Sequence, residues 1–353
     1  MSGSPRTTLR LGTAEADLER AAELLRGGGL VAIPTETVYG LAVRADDAEA
    51  VAALFAAKGR PTDNPLIVHV AAIADVLRVA REVTPLAREL LERLAPGPLT
   101  VVLPARDDLP RVVTGGLDTV AVRIPDHPVM RDVLARCTVP LAAPSANRSG
   151  RPSPTRAEHV VADLDGRIDA VVDGGPSRVG VESTVVDARG SAWRVLREGG
   201  LDRATITAAL AGTDFSEADA RPHGGTDVDR SGSPGTRHRH YAPSLPVHLA
   251  LAGEGLAFAA RLAANARDAR VGLVAPGAAG MPAPPGVHVV AAPAGAAELA
   301  GELFALLRTA ESDGLAALVV EAVEEGGIGR AVMDRLRRAV SASGGTDATR
   351  EQP

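Results

Sequence analysis

Cysteine is nearly absent from this 353-residue chain. Cys137 stands alone, which excludes an internal disulfide framework and any zinc or iron–sulfur centre built on several thiolates. No apolar run approaches the ~18 residues that a membrane helix needs. The opening MSGSPRTTLR leads into TAEADLER without the apolar core of a secretion signal. A cytoplasmic protein with no membrane partner is therefore expected. Acidic residues (44) outnumber basic ones (38), and the formal net charge of −6 argues against bulk coating of nucleic acid, though not against a local basic patch. Lysine is the sharpest shortage: Lys58 is the one lysine among those 38 basic residues, and the rest are arginine. Tyrosine is confined to Tyr39 and Tyr241, and asparagine to Asn64, Asn147 and Asn265. A residue kept against such a bias marks a place where its substitute would fail, or else a survivor of chance. Arginine and lysine differ in shape, hydration and donor geometry, so they are not equivalent at a tight site.

The remaining composition, 45% hydrophobic and 23% charged, is that of a globular protein, and the length suits about two domains. Over residues 14–210, short apolar runs alternate with amphipathic stretches. Helices are expected at 14–26, at 47–58, at 84–94 with Pro85 in the first turn, and at 155–164 capped by Thr155. LVAIP (30–34), LIVHV (66–70), LTVVLPA (99–105) and TVAVRIP (119–125) read as strands. This spacing predicts an α/β fold with a mixed sheet. Residues 211–244 are polar and aperiodic, as expected of a linker that doubles as an active-site lid. From 245 to 340 a βαβ rhythm predicts a smaller Rossmann-like domain with a parallel sheet. The segment 341–353 is expected to be a disordered tail.

The usual nucleotide loops are missing. There is no GxxxxGK[ST], and Gly27-x-Gly29-x-x-Ala32 precedes a strand instead of following one, so it stops a helix. PTETVYGL (34–41) places Thr35, Glu36 and Thr37 directly after a strand, where ligands of open α/β sheets bind; a plain helix cap is the alternative. KGRPTDNPLIVHV (58–70) gathers Lys58, Arg60, Asn64 and His69, and two cations two positions apart suit a polyphosphate. His69, inside an apolar strand, reads equally as a core residue. PSANRSGRPSPT (144–155) offers short hydroxyls on a proline-stiffened loop, fit for phosphate or ribose and also for a surface turn. Arg123 lies deep in an apolar run and needs an anionic partner, either a side chain or a ligand. His238, Arg239 and His240 fit a phosphate contact better than a metal pair.

Seven motifs stand in the order of the YrdC/Sua5 family: PTETVYGL, KGRPTDNPLIVHV, PGPLTVVL, DTVAVRIP, PSANRSGRPSPT, DGGPSRVGVEST and VLREGG. The continuation SPGTRHRHYAP, followed by a second α/β unit, resembles the longer two-domain Sua5 type. The likeness runs from about residue 14 to 340. It implies a YrdC-like catalytic domain and an L-threonylcarbamoyladenylate synthase, a nucleotidyltransferase. Such an enzyme makes threonylcarbamoyl-AMP and pyrophosphate from L-threonine, bicarbonate and ATP. The product serves N6-threonylcarbamoyladenosine formation at position 37 of tRNA, through a downstream threonylcarbamoyl-transfer machinery. Carried over motif by motif, the resemblance assigns threonine to Thr37, His69, Arg123, Ala143 and Ser183. It assigns ATP to Lys58, Arg60, Asn64, Thr119, Ser145, Ser153, Arg197 and Tyr241. Lys58 and Arg60 would act catalytically on the leaving group, with Mg²⁺ accompanying ATP and no protein metal ligands assigned. Asp334 departs from the asparagine usual in relatives, outside these motifs. Two other classes stay in view. One is an RNA-binding module without adenylating activity, and a weak RNA contact is compatible with the enzyme as well. The other is a carbamoyltransferase of the hydrogenase-maturation type, whose cysteine-rich zinc fingers a single cysteine argues against.

Overall fold

A computed structural model describes residues 7–218, 241–265 and 270–350. The chain divides into two units. The first contains Met1–Ser149, Ser153–Arg178 and Glu182–His238; the second contains Gly150–Pro152, Val179–Val181 and Arg239–Pro353.

The strands of the first unit are β1 (Leu9–Leu11), β2 (Val31–Ile33), β3 (Gly40–Arg44), β4 (Ile67–His69), β5 (Leu99–Pro104), β6 (Thr119–Arg123), β7 (Leu141–Ala142), β8 (Ala170–Val172), β9 (Thr184–Asp187), β10 (Ala192–Arg197) and β11 (Ser216–Glu217). They form one mixed sheet in the order β1-β8-β2-β3-β7-β4-β6-β5-β9-β10-β11. Alternation of side chains along each strand splits the core in two. Val31 and Ile33 of β2 and Ala42 of β3 pack with Leu25 and Met130 from helices Glu15–Arg26 and Pro128–Cys137. Ala32, Leu41 and Val43 point the other way, toward Leu54 and Leu90 from helices Ala48–Lys58 and Pro85–Leu94. Cys137 is buried in the first cluster, and burial pushes its thiol up to about 11, so it is an inert core residue.

Local chemistry sets the helix ends. Asp47 accepts two backbone N–H groups at the start of Ala48–Lys58, and Gly59 closes that helix at φ 61°. Thr84 and Pro85 start the next one as expected. The helix expected at 155–164 begins instead at Ala157, with Arg156 at its cap. Thr155 is already engaged, its N–H donating to Nδ1 of His159 and its carbonyl accepting from Ser177.

The second unit contributes β12 (Val247–Ala250), β13 (Val271–Val274), β14 (Val287–Ala291) and β15 (Ala317–Glu321). These pair in parallel in the order β12-β15-β13-β14, with helices Gly255–Asn265, Ala296–Ser312 and Gly329–Ser343 between them in sequence. The tail corrects an expectation. Gly344 ends the last helix in the left-handed region, Thr346 accepts from the N–H of Leu249, and Ala348–Arg350 form a helical turn. Edge strand β12 has unpaired backbone groups to satisfy, and polar residues satisfy them without any apolar side chain. The expected lid falls mostly on residues 219–240, which lie outside the described residues, as do His238, Arg239 and His240.

Candidate active site

Strand register assembles the site. His69 pairs with Arg123, Thr100 with Arg123, and Pro104 with Thr119. Register partners share a face, so His69, Thr100, Thr119 and Arg123 stand on one side of the sheet. On that side Ile67, Val102, Ala121 and Val185 form a small apolar floor. Thr119 and Arg123 are four residues apart on β6, or about 13 Å at the rise of a strand. The floor is therefore long enough for a ligand with two ends.

At the Arg123 end, the segment after β2 folds over the strands. Thr35 Oγ1 lies 2.8 Å from Thr37 Oγ1 and donates to the carbonyl of Val38. Arg123 donates from Nη1 to Thr37 Oγ1 at 2.9 Å and from Nε to the Gly97 carbonyl at 3.2 Å. Its Nη2 lies 2.6 Å from Oε1 of Glu36, an ion pair with side chains only 4% and 1% exposed. That contact lacks hydrogen-bond direction, and among the described residues neither Glu36 oxygen has a hydrogen-bond partner. The anion beside Arg123 in the protein itself is thus Glu36.

His69 is buried beside Arg123, and burial, reinforced by that positive charge, brings its imidazole down to about 3. It is neutral at physiological pH. Ala143 donates its N–H to the Ile67 carbonyl, bringing its backbone to the same place. Ser183 precedes β9, with Oγ 2.7 Å from Thr100 Oγ1, while Arg197 Nη2 donates to the Ser183 carbonyl at 2.8 Å and to its Oγ at 3.2 Å. Gly199 backs this arrangement: a Cβ there would fall 2.3 Å from the Ser183 carbonyl carbon.

The second cluster centres on Lys58, at the end of its helix and 2% exposed. Its Nζ donates to the carbonyls of Ser145 and Asn147, both at 2.5 Å. Burial, and then the charge of Arg60, lower its pKa well below the ordinary lysine value. Ser145 Oγ donates to Asn147 Oδ1, and the Ser149 N–H donates to the Lys58 carbonyl. Arg60 donates to the carbonyls of Asn64 and Pro65. Ser153 Oγ donates to Glu182 Oε1 at 2.6 Å, both residues buried.

Thr37, His69, Arg123, Ala143, Ser183 and Arg197 therefore form one group and Lys58, Arg60, Asn64 and Ser145 another. Ser153 bonds Glu182 next to Ser183, and Thr119 stands at the far end of the sheet face. Tyr241 lies in the second unit, stacked on Phe304 at 5.2 Å, with the Arg335 guanidinium over its ring. It is 4% exposed and holds a left-handed φ of 62°. Asp334, next along, pairs with Arg335 and Arg338. Thr100 and Glu182 had no assigned role in the sequence, although each lies within a quoted motif, and Glu36 was noted only for its place after a strand. Among the described residues no three His, Cys, Asp or Glu side chains gather as a metal cage. A Mg²⁺ ion would depend on phosphate oxygens and water, its common mode with nucleotides. No helix among the described residues is long and apolar enough to cross a membrane.

Residues 23–199 match the Sua5–YciO–YrdC family described as "Telomere recombination", and residues 202–341 match the "Threonylcarbamoyl-AMP synthase, C-terminal domain". The chain is 42% identical to the threonylcarbamoyl-AMP synthase of Pyrococcus abyssi over 326 residues, 90% of this chain and 92% of that one. It is 38% identical to the Bacillus subtilis protein of the same name over 339 residues, covering 94% and 95%. The solved structure of P. abyssi Sua5 complexed with L-threonine superposes with a TM-score of 0.84 at 39% identity, covering 97% of this chain and 99% of that one.

Proposed function

This chain belongs to the Sua5–YciO–YrdC family, and on that premise we propose that it is a threonylcarbamoyl-AMP synthase. Its substrates are L-threonine, bicarbonate and ATP, and its products threonylcarbamoyl-AMP and pyrophosphate. The observation that carries the reading is the buried group Thr37, His69, Arg123 and Ser183 on one face of the sheet, in a chain alike over nearly its whole length to a protein solved with L-threonine.

The threonine carboxylate meets the Arg123 guanidinium, and the Thr37 and Ser183 hydroxyls supply hydrogen bonds. Neutral His69 adds a polar group without adding charge. The threonine nitrogen becomes a carbamate, whose oxygen attacks the α-phosphorus as pyrophosphate leaves. Such transfer depends chiefly on positioning and on stabilising charge on the leaving group. Arg60 supplies fixed positive charge there, Lys58 acts beside it as a hydrogen-bond donor on the leaving group, and Asn64, Ser145, Ser153 and Thr119 orient the nucleotide. Mg²⁺, entering with ATP, would supply further charge neutralisation. The product passes to the machinery that modifies adenosine 37 of tRNA.

Pyrophosphate release from ATP tests the reading. Release should require threonine and bicarbonate together and stop when either is omitted. A stoichiometric RNA complex with steep salt dependence and no ATP turnover would overturn it in favour of an RNA-binding module.

A further inference from the structure

The reaction above leaves one requirement without a group to meet it: the threonine nitrogen must lose protons before it can carry a carboxyl group. Glu36 is buried to 1% exposure, and neither of its oxygens has a hydrogen-bond partner among the described residues. A buried carboxylate in that state is costly, and native proteins rarely leave one so without a use. Its charge is matched by Arg123 Nη2 at 2.6 Å, but that guanidinium also serves Thr37 and Gly97. His127 is the other ionisable side chain whose field Glu36 affects. Burial lowers the His127 pKa, so near neutral pH it adds no second cation.

A cation and an anion side by side are the complement of an α-amino acid zwitterion, whose carboxylate and ammonium are two bonds apart. From this juxtaposition we infer that Glu36 binds the α-ammonium of the amino-acid substrate and accepts a proton from it as the carbamate forms. The inference rests on the proposed synthase reaction. In that step the N–C bond to bicarbonate carbon forms and a C–OH bond breaks. Of the two protons the nitrogen gives up, one leaves with that hydroxyl as water and the other goes to the Glu36 carboxylate. The charge of the ammonium is consumed as the charge of Glu36 is neutralised, so the buried site never gains net charge from this exchange.

Titration calorimetry with two probes tests this: L-threonine, and 2,3-dihydroxybutanoate, in which a hydroxyl replaces the ammonium. The native chain should bind threonine far more tightly than the hydroxy acid. Glu36→Gln keeps the shape of the side chain and removes its charge. It should weaken threonine by about 30-fold or more, the scale of losing one partner of a buried charge pair. The hydroxy acid should change by less than about threefold, and turnover should fall even at saturating threonine. Equal losses for both probes would overturn the inference and leave Glu36 as a structural partner of Arg123. Should the variant fail to fold, the native chain alone decides, because equal affinity for the two probes also overturns it. A native chain that binds threonine but releases no pyrophosphate would instead overturn the synthase reading, and the two failures are thereby distinct.

Discussion

Lys58 donates its ammonium to the backbone carbonyl of Asn147, 89 residues further along the chain. With the Ser145 carbonyl as second acceptor, the side chain ties the end of a helix to the loop that carries Ser145. Lys58→Met should leave one buried and one half-buried carbonyl without this donor and lower unfolding stability by about 1–3 kcal/mol. Lys58→Arg should also fail in turnover, because a planar fork cannot replace a point donor 2.5 Å from both carbonyls. Urea unfolding and steady-state pyrophosphate release measure the two effects. A near-normal kcat for the arginine variant would mean that the lysine survives by accident.

Removing Arg123 should strand Glu36 as an uncompensated buried charge. Arg123→Met is expected to lose about 3–5 kcal/mol of stability, part of which Glu36→Gln restores in the double variant. Threonine affinity should collapse in both, while an ATP analogue binds within severalfold of normal. Strictly additive losses in the double variant would show the pair to be uncoupled.

Gly199 tests how tightly the Ser183 backbone is held. Gly199→Ala puts a methyl carbon where only 2.3 Å is free and should cost about 1–3 kcal/mol by overpacking. Because the strain falls on Ser183, threonine binding should suffer more than nucleotide binding. Calorimetry on the folded fraction checks this, and an unshifted melting curve would contradict it.

Acid should expose the neutral state of His69. Its folded pKa of about 3 lies below the ordinary unfolded value, so between those values the unfolded chain binds more protons. Stability from this group is complete at neutral pH and falls as pH drops through that window, by up to about 1.4 kcal/mol per pH unit. Unfolding measured from pH 7 to pH 4 should show a shallower slope for His69→Gln than for the native chain.

The sequence made some of these relationships visible and concealed others. Helix Ala48–Lys58 was legible because Asp47 and Gly59 bracket it locally. His69 and Arg123 were legible because each is a polar residue within an apolar run, and Ser183 because it stands beside one. Glu36 was visible as a carboxylate at a strand end, but its pairing with Arg123 was not, since that partner is 87 positions away. Thr100 was missed for the same reason, its meaning arising from Ser183 on a neighbouring stretch. Tyr241 stood out by its rarity and basic neighbourhood, but its stacking on Phe304 within the second unit was not visible, because the two residues are far apart in sequence. The tail misled because a polar segment can be ordered by hydrogen bonds to a strand edge, here through the backbone at Thr346 and the side chains of Ser343 and His248.

A chain with a single lysine also has a single side-chain amine, and here that amine is enclosed. Acylating reagents attack only an uncharged, reachable amine. Lys58 meets the first condition more readily than an ordinary lysine, since burial favours its neutral form. It meets the second only when the carbonyls of Ser145 and Asn147 release it. The mass increment on Lys58, followed over time, therefore becomes a clock for the opening of that loop, with no competing lysine elsewhere on the chain.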